Sequence, residues 1–234
     1  MVKKLFSYLI LPVVIIGLVY LIVESVMQPV RFNNAKDYRE GIAIQRLKDI
    51  RDLQVAYKNT TGHFTSSVDS LKDFYNNGTI MVVMQIGSND DSLAVANTEK
   101  IRKRNPRITN RQLYELYQQG EHLVFSVEND IPVKDTLFNR RNTTNPAVKE
   151  YFNIDSLAFI PFCGDSIIME SAVKKVSGVD VPLFEARMPY KSLLQGLDNQ
   201  LRINLDAERR DTGRYPGLKV GSVTAPNNNA GNWE

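Results

Sequence analysis

The sequence predicts an α+β fold: a membrane-spanning N-terminal helix that continues into a long amphipathic one, packed with further helices on an antiparallel sheet. Three observations carry this. An uncharged apolar run, Leu5–Val23, opens the chain. Amphipathic stretches of helical period follow it. The second half then breaks into short strand-like runs separated by Gly, Pro, Asn and Asp, too closely spaced for helical crossovers and therefore suited to antiparallel hairpins. The 234 residues, 43% hydrophobic and 24% charged, have the composition of a folded protein. A net charge of only +3 does not mark a nucleic-acid binder. One cysteine, Cys163, excludes a disulfide framework and a CxxC zinc site, and two histidines, His63 and His122, make no His-rich metal centre.

The apolar run is about 19 residues long, which at 1.5 Å per residue spans about 28 Å of hydrocarbon. Lys3 and Lys4 precede it and the first acid after it is Glu24. The positive-inside rule then leaves a stub, residues 1–4, in the cytoplasm and carries the rest across. The exit, Glu24-Ser25-Val26-Met27-Gln28-Pro29, has no small-residue cleavage site of the signal-peptide kind, so residues 5–27 read as a retained anchor.

From Asn34 to Lys58 the chain is rich in helix formers. Ala43, Leu47, Ile50, Gln54 and Tyr57 share a stripe flanked by Ile42 and Leu53, while Lys48, Asp49 and Asp52 point away. The partner for this stripe is either the protein's own sheet or another copy. Gly62 supplies the left-handed residue that ends the helix, and Phe64 folds back onto it. A short second helix opens at Ser67 to Asp69.

Here the residues carry a resemblance. The apolar helix, the amphipathic continuation ending Leu53-Gln54-x-x-Tyr57-x-x-x-x-Gly62-x-Phe64 and the short helix after it look like the start of type IV pilins and of the pseudopilins of type II secretion. The likeness covers residues 5–75. The glycine cleavage site before the apolar segment and the glutamate a few residues inside it, both similar features of prepilins, are absent, and Glu24 lies at the far end. The resemblance implies a membrane-anchored subunit of a secretion or pilus-type machine.

Late in the chain, Ala207–Tyr215 echoes Ala56–Phe64 at an offset of about 151 residues. Its helix is expected to begin at Pro189 with Leu194, Leu197, Leu201 and Leu205 on one face, and Gly213 closes it. Between the two, Ile80–Ile86 reads as a strand of a covered sheet and about Asn110–Gln119 as a helix. Leu123–Val127, Leu157–Phe162, Ser166–Glu170 and Val181–Arg187 read as strands. Lys100–Arg107 packs five cations into eight residues, expected as a solvated helix end, with lipid phosphates, a polyanion or an acidic partner as the alternatives. Residues 225–234 form a polar, mobile tail.

Gly164-Asp165-Ser166 matches the nucleophile block of GDS-type esterases, but no histidine follows His122 to serve as base, so a turn between strands is expected. Five tripeptides, Asp69-Ser70-Leu71, Asp91-Ser92-Leu93, Asp135-Thr136-Leu137, Asp155-Ser156-Leu157 and Asp165-Ser166-Ile167, are similar to the O-glycosylation site of Bacteroidota envelope proteins. Helix caps and turns are the other account of them.

These expectations describe a single-pass inner-membrane protein with residues 28–75 as amphipathic helix and capping turn and 76–224 as a periplasmic α+β domain. It is a non-enzymatic, pseudopilin-like subunit; a static scaffold or assembly factor is the alternative and a periplasmic hydrolase the third reading. Ile42, Leu47, Ile50 and Leu53 are expected to contact partners, and Gly62 and Gly213 to set turns. No catalytic, cofactor-binding or metal-binding residue is expected. The partners are other membrane or periplasmic subunits, a second copy among them, and the bilayer through residues 5–27, with no nucleic acid.

Overall fold

The structure, a computed structural model, describes residues 11–138 and 152–234. The stub 1–4 and residues 5–10 of the expected anchor lie outside the described residues. The fold is α+β, a long N-terminal apolar helix followed by further helices and antiparallel sheets. The chain divides into two compact units, one within Met1–Leu71 and Arg141–Glu234 and one within Lys72–Arg140.

The first unit is organised by α1, Leu11–Thr61, whose 51 residues run about 76 Å at 1.5 Å each. Apolar side chains from Leu11 to Val30 are exposed; the first buried one is Phe32. Burial then recurs at Ala43, Leu47, Ile50, Leu53, Gln54 and Ala56, the helical period of a stripe laid on a flat surface. Pro29 lies inside the helix, where its missing N–H leaves the Ser25 carbonyl without the usual partner and the helix continues nonetheless. Asp49, expected to point away, is buried, and its Oδ1 accepts from Gln45 Nε2 at 3.0 Å. The stripe is wider than the sequence suggested.

The surface beneath is a three-stranded antiparallel sheet in the order β3–β4–β5, where β3 is Ile168–Val176, β4 Val179–Pro189 and β5 Gly217–Gly221. Strands β3 and β4 form a hairpin, Val176 opposite Val179, closed by Ser177 and Gly178 at positive φ as a type I′ turn requires. The helix α1 lies on β5 and β4. Leu183, Phe184, Ala186 and Met188 of β4 and Leu218 and Val220 of β5 are buried in this core. Leu157–Phe162, expected as a strand, is instead a 3-10 turn, Ile154–Ala158, with a single bridge between Phe159 and Ser166. Asn153, whose side chain accepts from the Asp155 N–H, opens that turn where an extended strand would have continued.

The helix expected from Pro189 is broken in two. Strand β4 runs to Pro189 and pairs it with Gly217. A single turn, Tyr190–Leu193, follows, and the main helix restarts at Asn199–Asp211 after Gly196 at φ +82°. Asp198 caps that restart by accepting from the Leu201 N–H at 2.9 Å. Leu194 is buried, but Leu197, Leu201 and Leu205 keep partial exposure. The tail expected to be mobile is tied down: Val220 bridges Gly231, the Gly221 N–H donates to the Ala230 carbonyl at 3.0 Å, and the Asn232 N–H donates to the Lys219 carbonyl at 3.0 Å. Backbone groups at the outer edge of β5 find partners there, which a polar sequence does not announce.

The end of α1 follows the sequence closely. The Gly62 N–H donates to the Lys58 carbonyl at 2.7 Å with Gly62 at φ +83°, a left-handed closure that disfavours any Cβ. Phe64 folds back under Lys58 and sets its ring 4.8 Å from that of Phe184 on β4. Gln54, fully buried, holds the segment in place: its Nε2 donates to the Thr65 carbonyl at 2.6 Å and its Oε1 accepts from the Thr65 N–H at 3.2 Å. Gln54→Leu strands both Thr65 groups and lowers stability by about 1–3 kcal/mol, read by denaturant unfolding in detergent. The next helix, α2, Val68–Asn77, is capped by Ser67, whose Oγ accepts from the Ser70 N–H.

The second unit pairs β1, Thr79–Ile86, with β2, Phe125–Pro132, as a two-stranded antiparallel ribbon. One face packs on Leu113, Ile101 and Ile108 from α3, Ser92–Arg104, α4, Asn110–Gln118, and the turn between them. The other face is open, with Met81 and Val83 exposed opposite Asp130 and Glu128. The covered sheet expected for Ile80–Ile86 is thus a half-covered one, because the facing strand brings acids to the outer side. The helix expected at about Asn110–Gln119 is α4, closed at its start by a capping box between Thr109 and Gln112.

Candidate functional site: the anchor helix and its seat

Among the described residues one helix, α1, is long and apolar enough to cross a membrane, and its apolar window has no cover within the chain. Below that window α1 is fastened by a series of polar contacts. Gln28 Nε2 donates to Asp198 Oδ2 at 2.5 Å. The Arg39 guanidinium donates to the carbonyls of Leu193 (3.0 Å) and Gln195 (2.8 Å) at the end of the single turn, and lies over the Phe162 ring. Arg46 donates to the Phe159 carbonyl, and Arg51 pairs with the C-terminal residue Glu234 at 2.7 Å. With Gln54 at Thr65, these rungs cover about 39 Å of helix.

The middle rung joins Glu40 to a buried tyrosine. The Tyr190 hydroxyl donates to Glu40 Oε1 at 2.6 Å and accepts from Arg209 at 3.1 Å. Tyr190 has no exposed surface. Burial, then the bond to Glu40, pushes its hydroxyl well above the usual tyrosine range, so it stays a donor. At the two ends of the series, the Leu201 N–H and then Gln28 hold Asp198 below the ordinary carboxylate range, and Arg51 does the same for Glu234. What these two acids contribute is complete above the ordinary carboxylate pKa and is lost as pH falls through the lowered folded value.

The residues expected to meet partners fall differently. Leu47, Ile50 and Leu53 retain 0% of their surface. Their stripe lies on the protein's own sheet and is closed to another chain, which corrects the partner assignment for these three. Ile42 alone of the four keeps partial exposure. Gly62 and Gly213 both sit in the left-handed region, at φ +83° and +68°. The Glu40–Tyr190 bond went unread, although Glu40 stands three residues before Ala43 on the apolar stripe, where a carboxylate needs a donor.

Gly164-Asp165-Ser166 closes a small hairpin in which the Ile160 N–H donates to the Asp165 carbonyl and the Ile167 N–H to the Ala158 carbonyl. Ser166 is exposed. Ser166→Ala therefore changes folding stability by less than about 0.5 kcal/mol, checked by thermal melting. A cleft of about 330 Å³ beside this hairpin is lined by Asp165, Lys191, Ser192 and Arg202 together with Leu194 and Leu197. Ser192 donates to Asp165 across it at 2.5 Å, and Arg202 is engaged by Asp206 and Asn199. Among the described residues no group of three His, Cys, Asp or Glu is placed to hold a metal ion.

Of the Asp-hydroxyl-aliphatic tripeptides, Asp91 caps α3 by accepting from the Leu93 and Ala94 N–H groups, Thr136 donates to the Val133 carbonyl, and Ser156 donates to the Asn153 carbonyl. Ser92 and Ser166 are exposed. The basic run lies at the C-terminal end of α3 and in the turn after it. No family model matches the chain, and neither does any curated protein or solved structure.

Proposed function

We propose that the protein is a single-pass, membrane-anchored subunit of a bacterial envelope machine, non-enzymatic and pseudopilin-like, with a cytoplasmic N-terminus and a periplasmic α+β domain. The observation that supports this reading is the single helix α1, apolar and uncovered over its first turns and then laid along an antiparallel sheet by the Gln28–Gln54 series of contacts. Such a helix couples the depth and rotation of the anchor to the domain through one continuous element. Since Leu47, Ile50 and Leu53 are used inside the chain, contacts between subunits fall on the exposed membrane segment and on the domain surface.

A static scaffold remains the second reading, favoured by one feature. The acid nearest the apolar segment, Glu24, is already paired in cis with Arg31 at 2.9 Å. Photo-crosslinkers at Ile16, Leu18 and Ile22 test the subunit reading in cells. Discrete higher-mass adducts at one or more positions are expected, and a monomer at all three contradicts it. An intact N-terminus at Met1 or Val2 in the mature protein favours the scaffold over a processed pilin.

A further inference from the structure

We infer that the helix–turn–helix of the second unit, centred on the turn between α3 and α4, is a binding surface for a phosphate-bearing polyanion chain. Residues Lys100–Arg111 hold six cations, Lys100, Arg102, Lys103, Arg104, Arg107 and Arg111, and no acid. All six side chains are exposed. The whole chain has an excess of only +3, so the rest of it is net acidic and this stretch carries more than the chain's whole positive excess. Among the described residues only Lys103 of the six makes an ion pair, at 4.0 Å with Glu99, and Arg102 reaches Asn110 at 3.4 Å.

Helix electrostatics account for part of this. Arg102, Lys103 and Arg104 occupy the last turn of α3, where cations offset the negative end of the dipole. The same reasoning turns against Arg111, which stands in the first turn of α4, where the dipole disfavours a cation. Arg107 lies between the two helices, in a turn held by Asn105, whose carbonyl accepts from the Ile108 N–H and whose side chain accepts from the Arg107 N–H. The ordered turn holds the like charges together, and an anion relieves their repulsion.

The surroundings select the kind of anion. The apolar residues of the stretch, Ile101 and Ile108, are turned into the core of the unit, and Pro106 is the one exposed carbon-rich side chain. A protein interface needs apolar or aromatic anchors at its centre, and a helix lying in a bilayer needs an apolar face to insert. Neither is offered. No aromatic residue falls between Lys100 and Arg111 to stack a base. Four of the six cations are arginines, whose planar forks match phosphate. The surface thus fits a flexible, hydrated chain of phosphates.

The test uses the full chain in a neutral detergent with inorganic polyphosphate as probe, followed by fluorescence anisotropy. Binding is expected, with a log–log salt slope that flattens by roughly 0.7 for each phosphate contact removed. The variant R102Q/R104Q/R107Q/R111Q should weaken binding at least about tenfold with an unchanged circular dichroism melt. The control K175Q/R210Q/R214Q, which removes exposed cations elsewhere, should change it less than about twofold. Equal weakening by the control, or equal affinity for polyglutamate, overturns the inference. So does patch-dependent binding to phosphatidylglycerol-containing vesicles without binding to polyphosphate, which would assign the surface to a bilayer.

Discussion

Leu47→Asp abolishes the folded state of the unit built around α1. Leu47 has no exposed surface and sits in the middle of the stripe that covers β4 and β5. A carboxylate there loses its hydration inside an apolar core, while the leucine's apolar burial is forfeited as well. The two effects together exceed about 4 kcal/mol, a large share of the roughly 5–15 kcal/mol that holds a domain together. The measurable result is loss of the cooperative melt and rapid proteolysis of the detergent-extracted chain. Leu47→Met, which keeps volume and polarity, costs less than about 1.5 kcal/mol and retains the melt. If Leu47→Asp melted like the parent, the stripe would not be the core of this unit.

The second large effect belongs to the other half of the same helix. Ile16→Arg with Val19→Arg puts two cations into the exposed apolar window of α1. Each costs about 2.5–3.5 kcal/mol at the centre of a spanning helix, so the pair removes most of the preference for the bilayer. The double variant is expected in the soluble fraction or degraded. The polar substitutions Asp37→Asn and Tyr38→Gln, on exposed positions beyond the apolar window, leave the distribution unchanged. Recovery of the double-arginine variant in the membrane pellet at parental level would contradict the assignment of this window to lipid.

How far the sequence could be read follows from the range of the interactions concerned. The long apolar helix, the buried stripe and the turns at Gly62 and Gly213 are local: run length, helical period and a left-handed glycine are written in consecutive residues. The Asn110–Gln118 helix was legible for the same reason, through the spacing of Leu113, Tyr114 and Tyr117, while its capping box between Thr109 and Gln112 is seen only in the structure. What escaped depends on residues distant in the chain. The polar tail is ordered because β5 has an edge to fill and Arg51 meets Glu234 across 183 residues. Tyr190 can be buried because Glu40, 150 residues away, accepts the hydrogen bond that its hydroxyl donates. The break at Gly196 defeated a leucine period that looked continuous, since period alone does not see a left-handed residue followed by a cap at Asp198. The division into two units falls inside the Val68–Asn77 helix, where composition does not change. In the seat of α1, the stripe was visible, but its occupant was not: period reveals that a face is covered, never by what.

The most direct measurement is a cysteine scan of α1 in sealed membrane vesicles on a Cys163→Ser background, read with a membrane-impermeant maleimide on whichever side each residue faces. Protection is expected at every position from 13 to 26. Reaction should begin near Gln28 and Asn33 and then follow the helical period, with Ala43, Leu47, Ile50 and Gln54 protected and Asp52 and Val55 labelled. Labelling of positions 13–26 as fast as Asp52, without detergent, would show that the apolar window is not in lipid and would remove the basis for an anchored subunit.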